Sequence, residues 1–317
     1  MNDSQVVSTC IWSEKHQRKT ILALQRTFSA LSLVGCIFIV VLIWLFKTYK
    51  YFVQRLILFL SISAAFQSFS FILGDLYEND TMCQFQAFIM QYFGWATLLW
   101  VLCITINIIL VVRGVVNTEK FEKWYHLICW LLSVFWASLP FIGKKYGPAC
   151  VWCWIKQDAT ALRFGTWYVP IFLVILFLVF AYVYIVLKVF VRSGRWSGTY
   201  NAEVEHDNAM LLKEVKPLAS FPLIYLILTI PTLIYRIEDA VHPHQLPKYF
   251  LLILSVIFSP SVGALNAVAF AFYGEFQSLL TWNQIKSAFL SRFSSTAHVT
   301  HNYDVGDDEE SIFDPRV

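Results

Sequence analysis

The chain has 317 residues, of which 58% are hydrophobic, 17% aromatic and only 14% charged. Soluble domains carry about 25% charged residues, so this composition excludes an ordinary globular protein, and a net charge of +3 offers no basic excess for nucleic acid. Its long apolar runs specify an all-α membrane protein that crosses the bilayer repeatedly. Cys150 and Cys153 form a CxxC, but two ligands do not hold zinc, so no metal and no cofactor are expected.

Seven spans are expected, at roughly 22–46, 54–76, 83–113, 123–142, 166–191, 217–236 and 249–273, after an outer N-terminal segment of residues 1–21. The opening MNDSQVVSTC lacks a charged-then-apolar leader pattern, so the first span is expected to act as its own signal. The third span, Cys83 to Arg113, is the expected axis of the bundle. At 1.5 Å per residue it reaches roughly 46 Å, more than a hydrocarbon core about 30 Å thick. Its Gln84, Gln86, Gln91, Thr97, Thr105 and Asn107 would be costly against lipid and are placed against other helices or a wet cavity. The sixth span carries Pro222 and Pro231, expected to kink it. In the seventh, Ser259-Pro260-Ser261 bends the helix before Asn266 and Tyr273, which lie near one face; a buried Asn there bonds across the bundle as a switch or as a staple. An amphipathic surface helix is expected over 274–293, followed by an acidic, disordered tail over 294–317.

With the N-terminus outside, Lys47, Lys50, Arg55, Arg113, Lys120, Lys123, Lys188, Arg192, Arg195, Lys213 and Lys216 fall on the cytoplasmic side, a modest positive-inside bias. The glycosylation sequons at Asn2 and Asn79 then fall outside. Cys83 and Cys153 also reach the outer face, with Cys150 a rival partner and Cys10 available to whichever is left. Trp152 and Trp154 flank Cys153 and either anchor at the membrane interface or roof a ligand pocket. Arg163, Arg236, Glu238 and Asp239 mark outer helix ends, where they either bind an anionic ligand or are simply solvated. The inner cluster of Arg113, Arg192, Arg195, Lys213 and Lys216 either attracts acidic lipid heads or admits a partner, and the polar loop 192–216 is expected to be long enough to move. Ser294, Ser295, Thr296, Thr300 and Ser311 are candidate phosphorylation sites in the tail.

A set of short segments carries a family resemblance: Leu31-Ser-Leu-Val-Gly, Leu58-Phe-Leu-Ser-Ile-Ser63, Leu99-Trp100, Tyr125-His126 with Trp130, Trp152-Cys153-Trp154, Arg163-Phe164-Gly165, Tyr168-Val-Pro170, Arg236-Ile237 and Asn266-Ala-Val-Ala-Phe270. In order and spacing they resemble the cyclic-AMP-receptor-like class of G-protein-coupled receptors, over about residues 26–275. The resemblance implies a seven-helix receptor of the plasma membrane, not an enzyme. It implies a Cys83–Cys153 disulfide, an extracellular small-molecule ligand with a cyclic nucleotide as one expectation, and a heterotrimeric G protein as partner. Apart from the resemblance, Gln91, Trp95, Trp152, Trp154, Arg163, Tyr168, Arg236, Glu238 and Asp239 are the candidate ligand contacts, and phosphate on the tail would either dock an arrestin-like protein or repel the membrane surface. The chain departs at Ser63-Ala64, where relatives often carry Ser-Asp, and it has neither Asp-Arg-Tyr after the third span nor Asn-Pro in the seventh. The competing reading is an orphan seven-helix protein with a transport or structural role; no acid or base sits in the middle of a span, as a transporter would usually require.

Overall fold

The computed structural model describes residues 15–293 except 75, 77–79, 116, 150, 151, 157, 195–201, 242–248 and 273–280. Among the described residues, seven helices are long and apolar enough to cross a membrane. They are α1 (Lys15–Leu45), α2 (Phe52–Ile72), α3 (Asp80–Val112), α4 (Glu119–Phe141), α5 (Thr160–Arg163, a π turn Phe164–Tyr168, then Val169–Gly194), α6 (Ala202–Val241) and α7 (Tyr249–Ala271). A short helix α8 (Trp282–Phe293) follows. Between α4 and α5 lies an antiparallel hairpin of β1 (Tyr146–Ala149) and β2 (Trp152–Ile155), with Pro148 opposite Cys153.

Helix α3 is the axis. Its apolar window is 67% buried, against 28% for α4 and for α5, whose remaining surface is the Leu, Val, Ile and Phe that lipid accepts. From α3, Trp95, Leu98, Trp100, Val101, Ile104 and Ile108 enter the central core. Of its polar residues, Gln86, Gln91, Thr97, Thr105 and Asn107 are buried in the bundle, whereas Gln84 is only partly buried and donates to Asp80 on its own helix at 2.9 Å. Gln86 donates to the carbonyls of Ser70 (3.0 Å) and Gly74 (2.6 Å), so it satisfies backbone acceptors at the end of α2 that lipid could not.

Helices α1 and α7 approach closely at paired glycines. A Cβ on Gly263 would lie within 3.0 Å of Cys36 Sγ, Ser32 Oγ and the Ser32 carbonyl. One on Gly35 would meet the Gly263 carbonyl at 2.9 Å. Small residues let membrane helices touch through their backbones. The expected bend in α7 is a 3-10 turn over Ser259–Ser261. Cys36, Cys103 and Cys129 are free and buried, as packing residues.

Two helix starts differ from the sequence reading. Helix α1 begins at Lys15, so the segment 1–21 already contains helical turns. Helix α6 begins at Ala202, which turns most of the expected 192–216 loop into helix. The stretch Glu203 to Lys216 is polar but carries helix formers such as Glu, Leu, Lys and Met, and helix propensity there outweighs polarity. Helix α6 also continues through Pro222 and Pro231 without a break. The segment after α7 is helical from Trp282, the residues 273–280 lying outside the described set.

Candidate ligand-binding cavity

The hairpin roofs one end of the bundle. Cys153 on β2 is bridged to Cys83 at the start of α3, with S–S 2.00 Å. Alternation along a strand sends Trp152 and Trp154 to the face opposite Cys153, and both line a cavity beneath. The base of the hairpin is tied by Lys156 N–H to the Lys145 carbonyl at 2.8 Å and by Lys145 Nζ to Asp158 at 2.9 Å. Tyr146 donates its buried hydroxyl to the Ala137 carbonyl at 2.7 Å, fixing the hairpin to the end of α4.

The cavity encloses about 880 Å³ including its open mouth, between the hairpin and helices α1, α2, α3, α5, α6 and α7. Trp154 donates its indole N–H to Gln91 Oε1 at 2.7 Å. That bond orients the Gln91 amide within the pocket wall, where Gln91 is 1% exposed. Arg236 comes in from α6. Its guanidinium carbon lies 5.2 Å from the Trp154 ring centroid, 5.7 Å from Tyr168 and 4.9 Å from Tyr235. Three aromatic faces pack around this delocalised cation at the cavity wall. Such a site combines a guanidinium, stacking surfaces and neutral hydrogen-bonding groups.

The expected ligand residues divide accordingly. Gln91, Trp152, Trp154 and Arg236 line the cavity. Tyr168 stands beside it, against Trp154 and Arg236. Trp95 lies one layer behind, stacked on Trp136 at 5.2 Å with its indole N–H on the Thr166 carbonyl, so it does not reach the cavity. Arg163 is buried and donates Nε to the Ile155 carbonyl at 2.9 Å; it fastens β2 to α5 and is not free for an anion. Glu238 is partly buried outside the lining, and the Asp239 side chain lies outside the described ones.

The sequence reading missed Gln25, Gln67, Thr229, Thr232 and Ser255, all in the lining. Thr229 and Thr232 are three apart, and Ser255 and Ser259 four apart, so each pair shares a helix face. That spacing was the available signal. Ser255 donates to Thr232 at 3.2 Å across α6 and α7.

At the opposite end, Arg113 is exposed, and its Nε donates to the Tyr184 hydroxyl at 3.3 Å. Arg192, Lys213 and Lys216 fall within α5 and α6, but their side chains lie outside the described ones; Arg195 lies outside the described residues altogether. Asn107 and Asn266 are buried in α3 and α7. Tyr273, Asn2, Asn79, Cys10, Cys150, Ser294, Ser295, Thr296, Thr300 and Ser311 lie outside the described residues.

The family described as slime mold cyclic AMP receptor matches residues 10–307. The chain belongs to that family. It is 30% identical over 244 residues to cyclic AMP receptor-like protein A of Dictyostelium discoideum, covering 76% of this chain and 61% of that relative. Against G-protein coupled receptor 1 of Arabidopsis thaliana it is 28% identical over 260 residues, with 80% and 78% covered. Squid rhodopsin superposes with a TM-score of 0.62 over 89% of this chain and 92% of its own, at 14% identity, which establishes the shared seven-helix fold. This slime mold cyclic AMP receptor relative is therefore a multi-pass membrane protein of G-protein-coupled-receptor type. Its family and fold are those of receptors, not of enzymes.

Proposed function

We propose that the chain is a plasma-membrane receptor that binds an extracellular small molecule beneath the hairpin and activates a heterotrimeric G protein at the opposite end. The observation that carries this reading is the roofed cavity with the Arg236 guanidinium held against Trp154, Tyr168 and Tyr235. A disulfide-fastened roof suits an oxidising compartment, which supports a hairpin end outside and Arg113 inside. The names of the Dictyostelium relatives make cyclic AMP the first ligand to try. Binding shifts the population of an open inner face, and ligand and G protein then raise each other's affinity by one factor.

The test is a G-protein reporter cell expressing the full chain and exposed to cyclic nucleotides, amino acids, sugars and lipids. A hit should disappear in Arg236→Gln at unchanged surface level. A hit that survives this substitution undiminished removes the cavity from the mechanism. Wild-type silence to every probe with every G-protein class would favour the transport or structural reading.

A further inference from the structure

Arg55, at the inner base of α2, makes a contact set that ligand binding does not require. A guanidinium has five N–H donors, and here five acceptors surround it. Nε reaches Glu122 Oε1 at 2.6 Å, while Nη2 reaches Glu122 Oε2 at 2.8 Å and Glu119 Oε1 at 2.5 Å. Nη1 reaches the Lys50 carbonyl at 2.7 Å and the Tyr49 carbonyl at 3.5 Å. Its carbon lies 5.8 Å from the Phe52 ring. The Arg55 and Glu122 side chains are each only 21% exposed. One side chain thus joins three segments: the turn Thr48–Lys50 between α1 and α2, the base of α2, and the segment Glu119–Glu122 that leads into α4.

The Glu119 arm, with Glu119 60% exposed, contributes little to stability, about 0–1 kcal/mol. The bidentate fork on Glu122 has a geometric role instead, because it fixes two loops at one angle. Around it Lys50, Lys120 and Lys123 stand exposed. Arg55, Lys50, Lys120 and Lys123 outnumber Glu119 and Glu122, so the patch keeps a net positive charge. Arg113, at the end of α3, turns instead to Tyr184 on α5.

Resting on the receptor reading above, we propose that Arg55 is a positioning residue that fuses the first and second inner loops into one preformed basic platform, on which an acidic face of the heterotrimeric G protein docks. A partner that meets an already ordered surface is spared the entropy of ordering it. Charge alone does not make the platform, since lysine keeps the charge but has no fork.

The experiment uses the full chain in lipid nanodiscs, as wild type, Arg55→Lys and Arg55→Gln, each checked for surface delivery in cells and for the Cys83–Cys153 bridge. Two measurements are made: amide hydrogen exchange over residues 46–51 and 117–123, and GTP-analogue uptake by purified GDP-loaded heterotrimers of each class. Both variants should deliver normally, exchange faster in the two segments together, and catalyse nucleotide uptake about tenfold less well. Unchanged exchange, or a rise in one segment alone, overturns the fused platform. Faster exchange with undiminished nucleotide uptake overturns its docking role. If Arg55→Lys matches wild type in both measurements, charge and not the fork is responsible, and the proposal fails. If wild type drives no heterotrimer of any class while exchange responds as stated, the failure lies in the receptor reading, and docking falls with it.

Discussion

Ser32 on α1 accepts a hydrogen bond from the backbone N–H of Gly263 on α7 at 2.9 Å, closing the ring of helices between its first and last members. Gly263 sits in the first turn after the 3-10 bend at Pro260, where helix amides run short of intrahelical acceptors. In hydrocarbon an unpaired amide costs several kcal/mol, and the Ser32 hydroxyl supplies the partner. No side chain fits between the two helices at this point. Gly263→Ala should therefore force α1 and α7 apart, at about 1–3 kcal/mol. Thermal melting of purified protein checks this, with Gly165→Ala as control, because a Cβ there meets nothing within 4 Å. Equal melting of the two variants would refute the contact.

Removing the bridge should affect delivery before it affects coupling. Cys83 and Cys153 are 70 residues apart in sequence, and losing such a disulfide costs about 2–4 kcal/mol. Cys153→Ser should lower surface level several-fold, read by flow cytometry of an N-terminal tag on intact cells. Delivery at the wild-type level would show that the hairpin is held without the bridge.

Trp154→Phe keeps an aromatic face beneath Arg236 but deletes the bond to Gln91. The Gln91 carbonyl is then buried without its donor, at about 1–3 kcal/mol. A lower melting temperature is expected, with Gln91→Leu in the same background recovering most of the loss. A double variant as unstable as the single would assign the cost to ring packing.

The hairpin should carry a small acid sensitivity. The hydrogen bond from Lys145 holds the Asp158 carboxyl below its usual range, helped by charge from Lys145 and Lys156. A depressed carboxylate contributes stability above its unfolded pKa, and that contribution is lost as pH falls through the lower folded value. Because the pair is exposed, it is worth at most about 1 kcal/mol. Asp158→Asn should melt slightly lower than wild type at about pH 7, and the gap should close towards about pH 2. A gap that persists in acid would locate the effect elsewhere.

Solvation alone settled much of this protein before any coordinate. Lipid accepts only apolar side chains and fully bonded backbone, so span count, the burial of Gln86, Gln91 and Asn107, and the bend at Pro260 could be read from residue order. Residue order left Trp152 and Trp154 as interface anchors or cavity roof, and strand alternation about the bridged Cys153 turns them towards the cavity. Local polarity misled where propensity competed with it, as at Glu203 to Lys216, which is helix. What residue order could not supply is which distant groups meet. Arg163 and Arg236 look alike as cations at outer helix ends, yet Arg163 bonds the Ile155 carbonyl and Arg236 lines the cavity. Arg55 finds Glu119 and Glu122 more than sixty positions away, and Ser32 finds Gly263 across the whole bundle. A short-range hydrogen bond or ion pair depends on ångström-level placement, and only the packing of seven helices against one another fixes distances on that scale.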